Sequence, residues 1–131
     1  MSDQTKTIIK TDRAPKAIGP YSAGVKTHCF IFTAGQLGII PETGNIIEGG
    51  IEHETRQAIK NIQNILIEAG SCLENVVKTT VFLRDMAEFA QMNAIYGEFF
   101  KENPPARSTV QVAALPKGGA VEIEAIAMVS E

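Results

Sequence analysis

The chain has 131 residues, 44% of them hydrophobic and 21% charged, a length suited to one compact domain over 1-131 and a composition unlike that of disordered proteins. Its formal net charge of -3 gives no general attraction to phosphate backbones, so nucleic acid is a disfavoured partner. The polar start Met1-Ser2-Asp3-Gln4 and the lack of any run of about twenty apolar residues predict neither a secretory signal nor a membrane span.

In chain order, Cys29-Phe30-Ile31-Phe32-Thr33 is the first apolar, β-favouring run, and Leu37-Gly38-Ile39-Ile40 continues extended towards a turn at Glu42-Thr43-Gly44-Asn45. From Ile51 to Ala69 apolar residues recur at helical spacing, with Ala58, Ile59, Ile62, Ile65, Leu66 and Ala69 on one stripe and Gly70 as the stop. Val76 to Leu83 reads as a strand, with Val76, Lys78, Thr80 and Phe82 on one face. Asp85 and Glu88 have the spacing of a capping box, opening a helix that buries Phe89, Met92, Tyr96 and Phe100 and stops at Asn103-Pro104-Pro105. Strands near Ser108 to Ala114 and Val121 to Val129 follow, joined by a Pro116-Lys117-Gly118-Gly119 turn that lacks the strand-to-helix setting of a phosphate loop.

Strands, helix, strand, helix, strands predict an α+β sandwich, a mostly antiparallel mixed sheet with two helices on one face. In the last strand Val121, Ile123, Ala125, Ala127 and Val129 suit the covered face, whereas Glu122 and Glu124 share the other with Ile126 and Met128. Two helices cover only one face, so the mixed face predicts a homo-oligomer.

Cys29 and Cys72 show no CxxC spacing and no histidine cluster beside them; they read as two buried free thiols of a cytoplasmic protein with no metal. His28, before a strand, and His53, at a helix start, read as solvated groups rather than ligands or bases. The stretch most suited to chemistry is Pro105-Ala106-Arg107-Ser108-Thr109-Val110 with Val121-Glu122-Ile123-Glu124. Guanidinium matches a carboxylate bidentately, and a carboxylate on a partly apolar face can hold or deprotonate water. From composition alone, a cross-strand salt bridge between them is the simpler reading.

These residues also carry a resemblance. Pro105-Ala106-Arg107-Ser108, Val112, Leu115 and Val121-Glu122-Ile123, with Ala17-Ile18-Gly19-Pro20-Tyr21, Ala34-Gly35-Gln36 and Val77-Lys78-Thr79-Thr80-Val81, resemble the Rid (reactive intermediate deaminase, or YjgF) family from about Ile8 to Val129. The resemblance implies a single Rid-type domain of chorismate-mutase-like fold, trimeric, with a central barrel and clefts between subunits. It implies hydrolysis of 2-imino and enamine acids, such as 2-iminobutanoate and 2-iminopropanoate, to 2-oxo acids and ammonia, without a cofactor, limiting damage to pyridoxal-phosphate enzymes. By the same resemblance Arg107 grips the substrate carboxylate and Glu122 activates water. Tyr21, Gly35, Thr109 and Asn93 line the cleft; from the residues themselves Asn93 lies in the apolar stripe of the second helix between Met92 and Tyr96, where a structural hydrogen bond to a neighbouring loop is an equal reading, and Glu124, one strand period beyond Glu122, reads as structural or supporting. Ala34 stands where many relatives have serine, and Thr109 where some have cysteine. The resemblance leaves two further readings: an endoribonuclease that inhibits translation, and a non-catalytic ligand-binding or chaperone-like trimer. The acidic balance and the lack of a basic, aromatic stripe weigh against the first, and Arg107 with Glu122 against the second.

Overall fold

The computed structural model describes residues 5–130. Strands β1 (Thr7–Ile9), β2 (Gly24–Lys26), β3 (Phe30–Thr33) and β4 (Gln36–Leu37) precede helix α1 (Ile51–Glu68). Strand β5 (Val76–Leu83), helix α2 (Phe89–Phe99), and strands β6 (Ala106–Gln111) and β7 (Val121–Met128) complete the chain. One sheet runs in the order β1-β2-β3-β7-β5-β6, with β4 also pairing β7. All pairings are antiparallel except β5 with β6. That exception follows from connectivity, because α2 is the crossover a parallel pair requires.

The predicted α+β architecture is the observed one. Both helices pack on one face, where Ile59, Ile62, Ile65 and Leu66 of α1 and Met92 of α2 meet Val81 and Leu83 of β5 and Val121, Ile123 and Ala127 of β7. Apart from the smaller Ala127, each of these buried side chains contributes about 1.5–3 kcal/mol relative to exposure. The α1 stripe ends as expected: Ala69 closes the helix, Gly70 adopts φ 82°, and Lys26 Nζ donates to the Ala69 carbonyl at 2.8 Å, a cation at the negative helix end. Arg56 of α1 pairs with Glu98 of α2 at 2.8 Å, fastening the helices.

Several expectations need correction. Strands β1 and β2 escaped the periodicity reading because each has three residues, too few for an alternation to register. A bulge between Val76 and Lys78 turns Val76 into the core beside Ala127, so it does not share a face with Lys78, Thr80 and Phe82. Asp85 does cap, accepting from the Ala87 amide at 2.9 Å, but it opens a single 3-10 turn ahead of α2, and Glu88 pairs with Arg84 instead of completing a capping box. The cysteines are free but not buried: Cys29 is exposed in the β2–β3 turn and Cys72 is half-buried. In α2 the buried set is Met92, Ile95 and Tyr96, while Phe89 and Phe100 are only half-buried.

The second face of the sheet is uncovered. Phe30 and Phe32 of β3, Val110 of β6 and Met128 of β7 are each 40 to 45% exposed, although β3 and β7 bury Ile31, Ile123, Ala125 and Ala127 on their opposite face.

Candidate active site

Glu122, second residue of β7, alternates out of the core between buried Val121 and Ile123 and pairs across the sheet with Phe82 of β5 and Leu37 of β4. Its carboxyl packs directly on Gly35: a Cβ there would stand 2.8 Å from Glu122 Cδ and 3.0 Å from its Cγ and Oε2. Around it opens a cleft of about 560 Å³, lined among others by Ile18, Tyr21, Gly35, Leu37 and Lys117. Burial, and secondarily the neighbouring Glu124 carboxylate, push the Glu122 carboxyl above its ordinary range, as desolvation and a like charge both disfavour the anion. Glu124 shares the open face and thus acts on Glu122 through its field.

The cleft walls hang from two buried polar residues of α1 that the periodicity reading passed over. Asn61, fully buried, donates Nδ2 to the carbonyls of Leu37 at 3.2 Å and Ile39 at 2.9 Å, and its Oδ1 accepts from Gln57. Glu54, 6% exposed, accepts the Ala120 amide at 2.8 Å, two residues before Glu122. The signal was present: Glu54 and Asn61 lie on the helical stripe of Ala58, Ile62 and Ile65, and a polar group on such a stripe requires a partner.

Arg107 lies elsewhere. On edge strand β6 it pairs in register with Thr79, whose side chain is on the helix-covered face. Its Nη1 donates to Asn93 Oδ1 at 2.8 Å, and its guanidinium carbon sits 4.7 Å from the Tyr96 ring centroid and 5.5 Å from that of Phe89. Asn93 is therefore exposed on the flank of α2 towards β6, not within the apolar stripe, and its partner is a side chain rather than a loop. Two residues along β6, Thr109 Oγ1 is buried without a hydrogen-bond partner among the described residues.

The expected residues thus fall into two groups. Glu122, Gly35 and Tyr21 share the cleft; Arg107, Asn93 and Thr109 cluster at the α2–β6 edge. Strand β5 separates β6 from β7, and Arg107 and Glu122 emerge on opposite faces. A cross-strand salt bridge between them is ruled out by this topology, and within one chain they form no common site. Among the described residues no three His, Cys, Asp or Glu side chains form a group that could hold a metal ion, and no helix is long and apolar enough to cross a membrane.

A RutC family protein of Pyrococcus abyssi is 52% identical over 122 residues, 93% of this chain and 96% of its own. The human 2-iminobutanoate/2-iminopropanoate deaminase is 48% identical over 128 residues, 98% of this chain and 93% of its own. The crystal structure of Escherichia coli TdcF with bound serine superimposes with a TM-score of 0.90 at 43% identity, covering 95% of this chain and 99% of that one. The model of the endoribonuclease L-PSP family matches residues 11–129, and the chain belongs to that family, the YjgF or Rid family.

Proposed function

We propose that this chain is a cytoplasmic, cofactor-free deaminase that hydrolyses reactive 2-imino and enamine acids, 2-iminobutanoate and 2-iminopropanoate among them, in clefts between the copies of a homotrimer. The observation that carries the reading is the split of the site: a guanidinium on one face of the sheet and a desolvated carboxylate on the other. A second copy laid on the exposed apolar groups of the open face would cover them and bring one copy's Arg107 towards its neighbour's Glu122. The human relative's name supports the reaction class.

Each group has a role matched to its chemistry. The guanidinium takes the substrate carboxylate by paired N–H donors, which fixes the imine carbon. Glu122 accepts a proton from water as the water oxygen bonds to that carbon, and the C=N π electrons move to nitrogen. Glu122 then returns that proton to nitrogen, and the carbinolamine expels ammonia as its C=O bond forms and the hydroxyl proton passes back to the carboxylate, leaving the 2-oxo acid. A carboxyl raised above its ordinary range is a stronger base than an exposed one, which suits this step. Tyr21 and the Gly35 backbone bound the water side of the cleft, and Thr109 lies on the arginine side. Removal of imines in this way would spare pyridoxal-phosphate enzymes.

The test combines a coupled assay with complementation. Threonine dehydratase generates 2-iminobutanoate, semicarbazide competes for it, and protection from trapping is measured. Losing the charge-assisted contact costs about 2–4 kcal/mol, so Arg107→Ala should reduce turnover by roughly 30-fold or more, and Glu122→Gln should be as damaging. Copies of the two variants mixed by unfolding and refolding should regain activity in about a quarter of their clefts, since random association pairs an intact arginine with an intact glutamate that often. A mixture as inactive as its components, though assembled, would refute the shared cleft; an undiminished Arg107→Ala would remove that residue from the site.

A further inference from the structure

Arg107 takes part in no salt bridge among the described residues. Among the described residues, the side chains that bond to or stack on its guanidinium are uncharged: Asn93, through its amide oxygen, and the rings of Tyr96 and Phe89. Neutral partners of this kind orient a guanidinium and leave its charge intact, whereas a carboxylate would orient and neutralise it together. We propose that Phe89, Asn93 and Tyr96 are positioning residues forming a neutral seat, which fixes the guanidinium plane without quenching its charge and so keeps it available to an anionic ligand. For the identity of that ligand, a 2-oxo or 2-imino carboxylate, the inference rests on the deaminase reading above.

The seat is written on one face of α2. Residues 89, 93 and 96 follow the i, i+4, i+7 spacing that aligns side chains along a helix, and β6 runs past that face. A free arginine side chain samples many rotamers, whereas bidentate recognition of a carboxylate requires its planar fork in a defined orientation. Two aromatic rings within about 6 Å restrict the plane through the attraction of cation to π face. The single bond from Nη1 to Asn93 sets its rotation and uses one corner of the fork. Nε and Nη2 make no hydrogen bond among the described residues.

Tyr96 is itself immobilised. It is 5% exposed, its ring packs on Phe100 with centroids 4.6 Å apart, and its hydroxyl shares a 2.7 Å hydrogen bond with Thr79. Thr79 is the residue paired in register with Arg107. The connections close a ring through Thr79 on β5, Tyr96 on α2 and Arg107 on β6, so the guanidinium is referenced to the same strand that fixes its backbone. Burial pushes the Tyr96 phenol above its ordinary range, against smaller opposing effects from Thr79 and Arg107, which keeps the ring uncharged.

A seat that served only stability would be improved by a negative charge; one that must stay neutral would be ruined by it. Asn93→Asp is nearly isosteric and places a carboxylate against Nη1. The experiment measures thermal stability, 2-oxobutanoate affinity by calorimetry, and KM and kcat in the semicarbazide assay, for wild type, Asn93→Asp, Tyr96→Phe and Tyr96→Leu. Asn93→Asp should weaken 2-oxobutanoate binding and raise KM by about tenfold or more with no loss of melting temperature. Tyr96→Leu should raise both constants by about 3- to 30-fold, and Tyr96→Phe, which keeps the ring, should restore them to within about threefold of wild type.

Wild-type affinity in folded Asn93→Asp would overturn the proposal, as would Tyr96→Phe binding as weakly as Tyr96→Leu. Should Tyr96→Leu fail to fold, Asn93→Asp on the exposed flank still decides. A wild type that binds 2-oxobutanoate but turns over no imine, with the variants ranked as above, would refute the deaminase reading and leave the seat standing. A wild type that does not bind 2-oxobutanoate would overturn the seat as a carboxylate site.

Discussion

Gly35 and Gly38 stand three residues apart, and a methyl group added at each meets an obstacle of a different kind. At Gly35 the new Cβ would lie 2.8 Å from Glu122 Cδ. To restore an ordinary contact of 3.4 Å or more, the carboxyl must retreat by about 0.6 Å or swing to another rotamer. That movement is mechanically easy, since the obstacle is the far end of a flexible side chain. Stability should therefore change by less than about 1 kcal/mol, the steric cost being partly offset by the lower entropy of the unfolded alanine chain. Catalysis should not be spared. Misplacement of a reacting group by about 1 Å costs on the order of 100-fold in rate, so Gly35→Ala should lower kcat by roughly 10- to 100-fold. At Gly38 the added Cβ would lie 2.6 Å from the Glu54 Cα and 2.7 Å from its carbonyl oxygen. Backbone in the buried first turn of a packed helix cannot step aside, and Gly38→Ala should cost about 2–4 kcal/mol in urea unfolding. Paired denaturation curves and single-turnover imine hydrolysis separate the outcomes. Wild-type kcat in Gly35→Ala would refute the claim that the carboxyl acts from its observed position; equal stability losses at both glycines would refute the distinction between movable and fixed neighbours.

Two other perturbations probe the same framework. Because burial first, and the Glu124 carboxylate second, raise the Glu122 carboxyl above 4.5, its basic form is depleted at a higher pH than that of an exposed glutamate. The acid limb of the kcat/KM profile should accordingly lie above pH 4.5, and Glu124→Gln should move it to lower pH without erasing the displacement due to burial; an unmoved limb would separate the titration from Glu124. The same raised value means that the folded chain holds this proton more tightly than the unfolded chain, so the contribution of Glu122 to stability falls as pH rises from the unfolded towards the folded value. Asn61→Ala would leave the Leu37 and Ile39 carbonyls and the Gln57 amide without their partner. A loss of about 2–3 kcal/mol is expected in urea unfolding, and a loss under about 0.5 kcal/mol would show that water takes over these bonds.

How far the fold can be read from residues depends on the length over which a pattern repeats. The stripe of α1 and the alternation of β7 extend over many residues and translate directly into buried Ile59, Ile62, Ile65, Val121, Ile123 and Ala127. Strands β1 and β2 give no such run, and the bulge before Lys78 shifts a two-residue period by one, carrying Val76 to the opposite face. The candidate site residues are legible as chemistry but not as geometry. Arg107 and Glu122 are near neighbours along the chain, on consecutive strands, yet β5 inserts between those strands because the α2 crossover lays β6 beside it on the far side from β7. Strand order in space is a property of crossovers and is absent from any local window. Tyr96 and Phe89 illustrate a second limit: at helical spacing an aromatic reads as core, and only the passage of β6 reveals that their faces meet a guanidinium.

The placement of Arg107 and Glu122 on opposite faces of one sheet also bears on inheritance. In the proposed assembly each chain serves two clefts, lending its arginine to one neighbour and its glutamate to the other. A copy defective in both would thus silence two clefts rather than one, and a cell carrying one sound and one doubly altered allele would retain only about a quarter of its clefts under random association. Alleles altered in different halves would partly rescue each other, whereas alleles altered in the same half would not.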